Sequence, residues 1–387
     1  MKHYLSPLAT SLKPSGIRKF FDLASTMEDV ISLGVGEPDF ATPWVMRETA
    51  IFSLEQGQTM YTSNAGLIDL RRELSKYMAK SLGLNYSPEN ELLITVGASE
   101  AVDLAMRALI VPGDGVLIPD PSYVAYAGCA LMAGADIHYV PLRAEHDFRL
   151  QVDDLQLAYT PNCKVLVLSY PNNPTGAIMT REELLPIARF ASENDLIVVS
   201  DEIYSDLTYG GTHTPFATLP YMKNRTLHVS GFSKAYAMTG WRIGYVAGHP
   251  DFIQVMTRIH QYTIMCAPIM AQIAALEGLK AGDSAKKEMI LEYDRRRRLL
   301  VNGFREMGLS CFEPLGAFYV FPDITATGLR SEEFAEQLIK EEKVAVVPGT
   351  AFGPAGEGHI RCSYAYSTQQ LLEALERISR FVKKRLS

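Results

Sequence analysis

The sequence reads as an α/β protein with a mainly parallel sheet sandwiched by helices and a second, smaller α/β unit. Three features predict this. Between about residues 91 and 247, short β-rich apolar runs alternate with segments of helical periodicity. These runs are continuously apolar, the pattern of strands buried on both faces. After about residue 250 the pattern changes to long helices with brief strand signals. Strand–helix alternation of the first kind builds a mostly parallel sheet covered by helices.

Taken in order, Glu91–Val96 reads as a strand and Ser99–Ile110 as the helix after it. Gly115–Ile118 is a strand, Tyr123–Met132 a helix and Ile137–Val140 a strand. Lys164–Ser169, Leu196–Ser200, Thr226–Val229 and Ile243–Ala247 continue the strand series. Thr180-Arg-Glu-Glu183 is a capping box that opens a helix running to about Ser192. Further on, a helical pattern runs from about Lys286 to Met307, with strands near Ala317–Phe321, Val344–Val347 and His359–Cys362. Ser367-Thr-Gln-Gln370 caps a final helix. The reading divides the chain into a large unit, 46–275, and a small one, 1–45 plus 276–387, with a ligand cleft between them.

Composition narrows the functional classes. The 387 residues suffice for a sizeable core, and 47% apolar with 21% charged residues is ordinary for a globular enzyme. A net charge of −7 and a sequence pI near 5.7 argue against nucleic acid as the main partner. The one dense basic run, Arg295 to Arg298, has Glu288, Glu292 and Asp294 nearby and reads as a solvated or ion-pairing helix face. The five cysteines are scattered, without Cys-x-x-Cys spacing, which fits a reducing cytoplasm. No His-Glu-x-x-His or His-x-x-x-His spacing supports a metal site, so none is expected. No apolar run reaches 18 residues and Met1 to Ser11 lacks a cleavage signature, so neither a membrane nor a secreted protein is expected.

Five places can carry chemistry. Lys234 lies in Ser-Gly-Phe-Ser-Lys-Ala-Tyr-Ala-Met-Thr-Gly-Trp-Arg-Ile-Gly-Tyr, residues 230–245. An amine among small and apolar residues can hold an aldehyde as a Schiff base and shuttle a proton; a solvated surface lysine is the plainer reading. Arg242, eight residues on, has a planar fork suited to phosphate. Upstream, Tyr170-Pro-Asn-Asn-Pro-Thr-Gly176 and Asp201-Glu-Ile-Tyr204 each follow an apolar run, where open α/β sheets collect ligands. The first is also a good plain turn, and Asp201 is either a cap or solvated residue or the partner of a cationic ring nitrogen. Gly97-Ala-Ser-Glu-Ala101 offers a helix N-terminus and a hydroxyl to a phosphate. Arg361, after the glycine-rich stretch Gly353 to Gly358, calls for a planar anion: a ligand carboxylate or a structural ion pair.

Together these segments resemble the class I/II, fold-type I aminotransferases that depend on pyridoxal phosphate. The likeness covers nearly the whole chain and includes Gly34-Val-Gly-Glu-Pro-Asp-Phe40, Tyr61-Thr-Ser-Asn-Ala-Gly66 with Leu70-Arg71, Pro121-Ser-Tyr123 and Val346-Val-Pro-Gly-Thr-Ala-Phe-Gly353. It is most similar to prokaryotic aromatic and aspartate members, and the start Pro14-Ser-Gly-Ile-Arg-Lys-Phe-Phe21 resembles the aromatic ones. The resemblance implies that Lys234 forms the Schiff base and that Asp201 faces the pyridine nitrogen. It also implies that Asn173 and Tyr204 donate to the ring's phenolate oxygen and that Tyr123 stacks on the ring. Ala98, Ser99 and Arg242 would form the phosphate cup, with Ser233 beside the lysine. Arg361 would clamp the substrate α-carboxylate, helped by the backbone of Gly36 and by Asn173. Ile17 would lie over the substrate side chain, and Tyr61 would reach the phosphate of a neighbouring subunit, which implies a homodimer.

The implied reaction is a ping-pong transfer of an amino group to a 2-oxo acid such as 2-oxoglutarate. Lys234, Asp201 and Tyr204 would be the catalytic groups. Two departures stand out. Gly231 replaces a serine that many relatives use toward the phosphate. No second arginine for a side-chain carboxylate is matched, although Arg258 and His260 lie in that neighbourhood; this favours aromatic or broad donors over strict aspartate specificity. Aspartate or alanine transfer is the alternative, followed by a carbon–sulfur lyase of the same fold. A non-catalytic binding module would not need the lysine, and a nicotinamide dehydrogenase would need a Gly-x-Gly-x-x-Gly that is missing after the first strand.

Overall fold

The structure, a computed structural model, describes residues 2–12, 16 and 27–386. Among the described residues the strands are β1 (Ile31–Ser32), β2 (Leu92–Thr95), β3 (Gly115–Asp120), β4 (Asp136–Pro141), β5 (Cys163–Ser169) and β6 (Ile197–Asp201). They continue with β7 (Thr226–Gly231), β8 (Gly244–Ala247), β9 (Tyr319–Val320), β10 (Val344–Ala345), β11 (Val347–Pro348) and β12 (Ile360–Ser363).

β2 to β8 form one seven-stranded sheet in the order β2-β8-β7-β6-β5-β3-β4. Its centre is parallel from β4 through β7, while β8 runs antiparallel to both neighbours. The link from β7 to β8, residues 232–243, holds no α-helix, and the chain turns back on itself. That turn carries Lys234. Every residue of β2, β3 and β8 is buried, whereas β4, at an edge, exposes Asp136 and Tyr139. Gly97–Leu109 and Pro250–Thr263 pack on one face over Val165, Val167 and Val199. Arg181–Glu193 packs on the other over Leu166, Leu168 and Val198. The alternation of apolar side chains along β5 and β6 therefore serves two cores, which is why those strands read as unbroken apolar runs.

The second layer system is smaller. β11-β12-β9 form an antiparallel sheet, and β1 pairs in parallel with β10, so the N-terminal segment joins elements from the far end of the chain. Helices Asp283–Glu306, Ser331–Glu342 and Thr368–Leu386 enclose it around Phe304, Phe334 and Phe381.

Both capping boxes form. Thr180 N donates to Glu183 Oε2 at 2.7 Å, and Ser367 Oγ accepts from Gln370 N at 3.3 Å. The basic run is a solvated and ion-pairing helix face, as expected, although two of its members are buried. Arg295 and Arg298 are solvated, but Arg296 and Arg297 are buried against Asp39, Asp294 and Glu313. A full turn of arginines must send two of its members inward, and there they pair. The stretch Val344–Val347 is two strands in different sheets, and Ala317 leaves the expected strand because its φ is +57°. The helix expected from Tyr123 starts at Ala125, which leaves Tyr123 on the turn after β3.

Candidate active site

The carboxyl ends of β5, β6 and β7 lie side by side, with Ser169 opposite Asp201 and Asp201 opposite Val229 in the ladder. They bring Asn173, Asp201 and Lys234 to the wall of one cavity of about 470 Å³. Helix Gly97–Leu109 points its N-terminus into it, and Arg361 enters from β12. The cavity thus lies between the large sheet and the smaller sheets.

Asp201 is buried at the floor. Its Oδ2 accepts from the Tyr126 hydroxyl at 2.8 Å and its Oδ1 from Ile203 N at 3.1 Å. Burial pushes its pKa above the usual carboxylate range, and those two donors oppose the rise. A cationic ring nitrogen would restore the charged form. Lys234 is half-buried, and its Nζ donates to Gly36 O at 2.6 Å. Burial, and then the positive charge of Arg361, lower its pKa to about 8, with Glu37 pulling the other way. Such an amine is deprotonated far more readily than a surface lysine, as a nucleophile requires.

At one end, Gly97 holds φ at +76° to open its helix, and a Cβ there would sit 2.6 Å from Arg242 Nη2. The missing side chain lets the guanidinium lie against the first turn, where Ala98 and Ser99 present free N–H groups. Arg242 Nη1 donates to Thr239 O at 2.9 Å, and no carboxylate pairs with Arg242 among the described residues. The acid in that turn, Glu100, faces away to His260 at 2.7 Å. An anion with several oxygens fits this end.

At the other end, Arg361 is 2% exposed. Its Nη1 donates to Asn173 Oδ1 at 2.9 Å and its Nη2 to Gly34 O at 2.6 Å. The rings of Tyr319 and Phe352 lie 4.4 and 4.7 Å from its Cζ. Its buried Nε has no partner, and no carboxylate reaches it among the described residues. The structural ion pair left open by the sequence is therefore not made. Removing one member of a buried charge pair costs several kcal/mol, about 3–5, so an unpaired buried guanidinium calls for an anion from outside.

Tyr123, Ser233 and Gly36 line the same cavity, and so does Tyr204, whose hydroxyl lies 2.7 Å from that of Tyr319. Tyr61 does not line it: this residue is 81% exposed on the surface of its own chain. Ile17 lies outside the described residues. Arg258 and His260 stay away from the cavity, the first exposed and the second buried against Glu100. At Gly231 a Cβ would come within 2.9 Å of Gly244 Cα, so close strand pairing excludes a side chain here.

Sequence reasoning missed Tyr126, Tyr319 and Phe352. Tyr126 had a signal, since it follows Tyr123 by three residues and so shares its side of a helical turn. Tyr319 and Phe352 had none, because their positions depend on how the smaller sheet packs.

The model of class I and II aminotransferases matches residues 28–378. The chain belongs to the class I and II aminotransferases. This aminotransferase is 54% identical to Bacillus subtilis YugH, whose name specifies aminotransferase and no substrate, over 99% of this chain and 100% of that one. It is 42% identical to aromatic-amino-acid aminotransferase 2 of Thermococcus litoralis, over 98% of this chain and 99% of the other. Among solved structures, aspartate aminotransferase from Thermus thermophilus with maleate superposes with a TM-score of 0.92 at 38% identity, covering 97% and 99% of the two chains. The fold is that of the fold-type I enzymes, and the activity is transamination. The aminotransferase has no helix among its described residues long and apolar enough to cross a membrane.

Proposed function

We propose that this aminotransferase works with pyridoxal phosphate and takes aromatic, or broadly chosen, L-amino acids as donors and a 2-oxo acid such as 2-oxoglutarate as acceptor. One observation carries the reading: Arg242 and Arg361 stand at opposite ends of one cavity, neither with a carboxylate partner among the described residues, and a low-pKa lysine lies between them. The first end suits a phosphate and the second an α-carboxylate.

On this reading Arg242, Ala98, Ser99 and Ser233 hold the phosphate, with Tyr61 of a second copy beside them, which makes the working form a homodimer. Asp201 would pair with the ring nitrogen, Tyr123 would cover the ring, and Asn173 and Tyr204 would donate to its phenolate oxygen. When bound, the cofactor supplies a carbonyl for the amine and an electron sink for the α-carbon. Lys234 would hold that carbonyl and, as a free amine, would carry a proton to and from the substrate's α-carbon. Arg361 fixes the carboxylate in two-point contact and so orients the bond that breaks. Gly36 and Ile17 would border the substrate. We assign the cofactor to residues 46–275, the smaller unit to 1–45 plus 276–387, and the enzyme to the cytoplasm.

Among the described residues three cationic side chains line the cavity, Lys234, Arg242 and Arg361, and the reading gives each a task. No further cation of the same chain among the described residues faces it to receive a side-chain carboxylate, which supports aromatic or neutral donors. Aspartate is the second reading, favoured by the name of the Thermus thermophilus relative.

The test is an absorbance spectrum of the protein loaded with pyridoxal phosphate, before and after tyrosine, phenylalanine or aspartate. The visible band should fade fastest with the aromatic donors. Lys234→Ala should lose turnover entirely. A protein that stays colourless with the cofactor, or a lysine variant near full activity, would sink the reading.

A further inference from the structure

We propose that Tyr319 is a positioning residue that supports Arg361 with its ring and, through its hydroxyl, sets the strength with which Tyr204 donates into the cavity. This rests on the reading of Tyr204 and Arg361 given above.

The geometry is specific. β9 and β12 pair with Tyr319 opposite Ser363, so Tyr319 shares a sheet face with Arg361, two residues before Ser363. The Tyr319 ring lies beneath the guanidinium at 4.4 Å, and its hydroxyl is 2.7 Å from that of Tyr204. Little freedom remains to it: the residue is 1% exposed, and a Cβ on Gly36 would lie 2.2 Å from its oxygen. The strand is pinned just before it, because Ala317 O accepts from the hydroxyls of both Tyr209 and Tyr364.

Two phenols in contact share one hydrogen bond. Burial raises the pKa of Tyr319, but Arg361 and Tyr204 hold the rise down. That of Tyr204 goes well above the ordinary tyrosine value, with burial as the main cause. The contact allows either hydroxyl to give the hydrogen; with Tyr204 donating into the cavity, as the reading above has it, Tyr319 supplies the hydrogen between them. A hydroxyl that accepts one hydrogen bond becomes a better donor in the next. A group accepting from Tyr204 would feel Tyr319 without touching it.

The experiment uses the protein loaded with pyridoxal phosphate and follows the pH midpoint at which its visible band changes form. Tyr319→Phe keeps the ring under Arg361 and removes only the hydroxyl. It should move that midpoint upward by about half a unit or more, because the charged phenolate loses stabilisation, while the donor KM stays within about twofold. Tyr319→Leu removes the ring as well and should raise the donor KM by about tenfold. In a Tyr204→Phe background, Tyr319→Phe should add no further shift. An unmoved midpoint in Tyr319→Phe, or an equal shift when Tyr204 is already phenylalanine, overturns the proposal. If the parent protein shows no visible band at all, the cofactor reading fails and takes this proposal with it. A parent band that titrates while the variants leave it unmoved sinks only the role of Tyr319.

Discussion

Arg361 and Lys234 are both cations placed where water is scarce, and their surroundings make opposite demands. Arg361 keeps its charge and needs an anion. Arg361→Lys retains the charge but loses the fork, and with it the two-point grip on a carboxylate. One lost charge-assisted hydrogen bond is worth about 1.5–3 kcal/mol. The donor KM should rise roughly 10- to 100-fold, with a smaller change in kcat; steady-state kinetics with one donor would decide, and an unchanged KM would remove the clamp from Arg361. Lys234 instead gives up charge, its pKa falling from 10.5 to about 8. Between those values the unfolded chain binds more protons than the folded one, so stability rises with pH across that window. The gain is complete above 10.5 and is lost as pH falls through about 8. Lys234→Met should therefore melt higher than the parent at pH 7 in cofactor-free protein, with the gap closing toward pH 10.5. A gap independent of pH would contradict the lowered value. At this scale the sequence was informative where chemistry forced a residue type at a strand end, as at Asp201 and Lys234. It was silent on Tyr319, whose meaning comes from a ring and a hydroxyl meeting two distant residues.

The elements turn those side chains into a site by withholding atoms. Gly97 opens its helix at a positive φ and leaves the space that Arg242 fills. Gly97→Ala places a Cβ 2.6 Å from Arg242 Nη2 and strains the left-handed backbone besides. Cofactor affinity should fall by at least about tenfold while the fold persists, measured by titrating cofactor-free protein with pyridoxal phosphate. Gly231→Ser is the opposite case. The serine that many relatives use would here press on Gly244 Cα across the β7–β8 ladder, so the variant should lose stability, about 1–3 kcal/mol, and not gain a phosphate contact. A denaturant melt would test it, and a stabilised variant would show that the strands can part. Capping boxes at Thr180 and Ser367 were legible because a cap is local chemistry. The reversal of β8 and the division of β10 from β11 were not, since a strand's apolar pattern does not record which neighbour it pairs with or in what direction.

For the whole molecule, the cavity of one chain is incomplete on the reading offered above, and the surface says where the rest would come from. Phe52, Met60, Tyr61 and Tyr262 are each more than half exposed, on helix Trp44–Glu55, the loop after it and the end of helix Pro250–Thr263. Asn64 Nδ2 donates to Met265 O at 2.8 Å and ties that loop to the turn that follows the second helix. Large apolar side chains left in water on adjoining elements mark an interface. On that reading a second copy would cover them, joined by a twofold axis that sets each surface against its own equivalent. Tyr61 would then act across the axis, a role visible in the sequence only through resemblance, because nothing local distinguishes it from an exposed tyrosine. The consequence can be tested by mixing. Lys234→Ala lacks the Schiff-base amine, and Tyr61→Ala lacks the group that would reach the neighbour's phosphate. In a hybrid of the two, one site carries both defects and the other carries neither. Mixing after dissociation should therefore restore a class of sites with parental cofactor affinity that neither variant shows alone. If Tyr61 serves its own chain, the site with the intact lysine keeps the tyrosine defect and no such class appears.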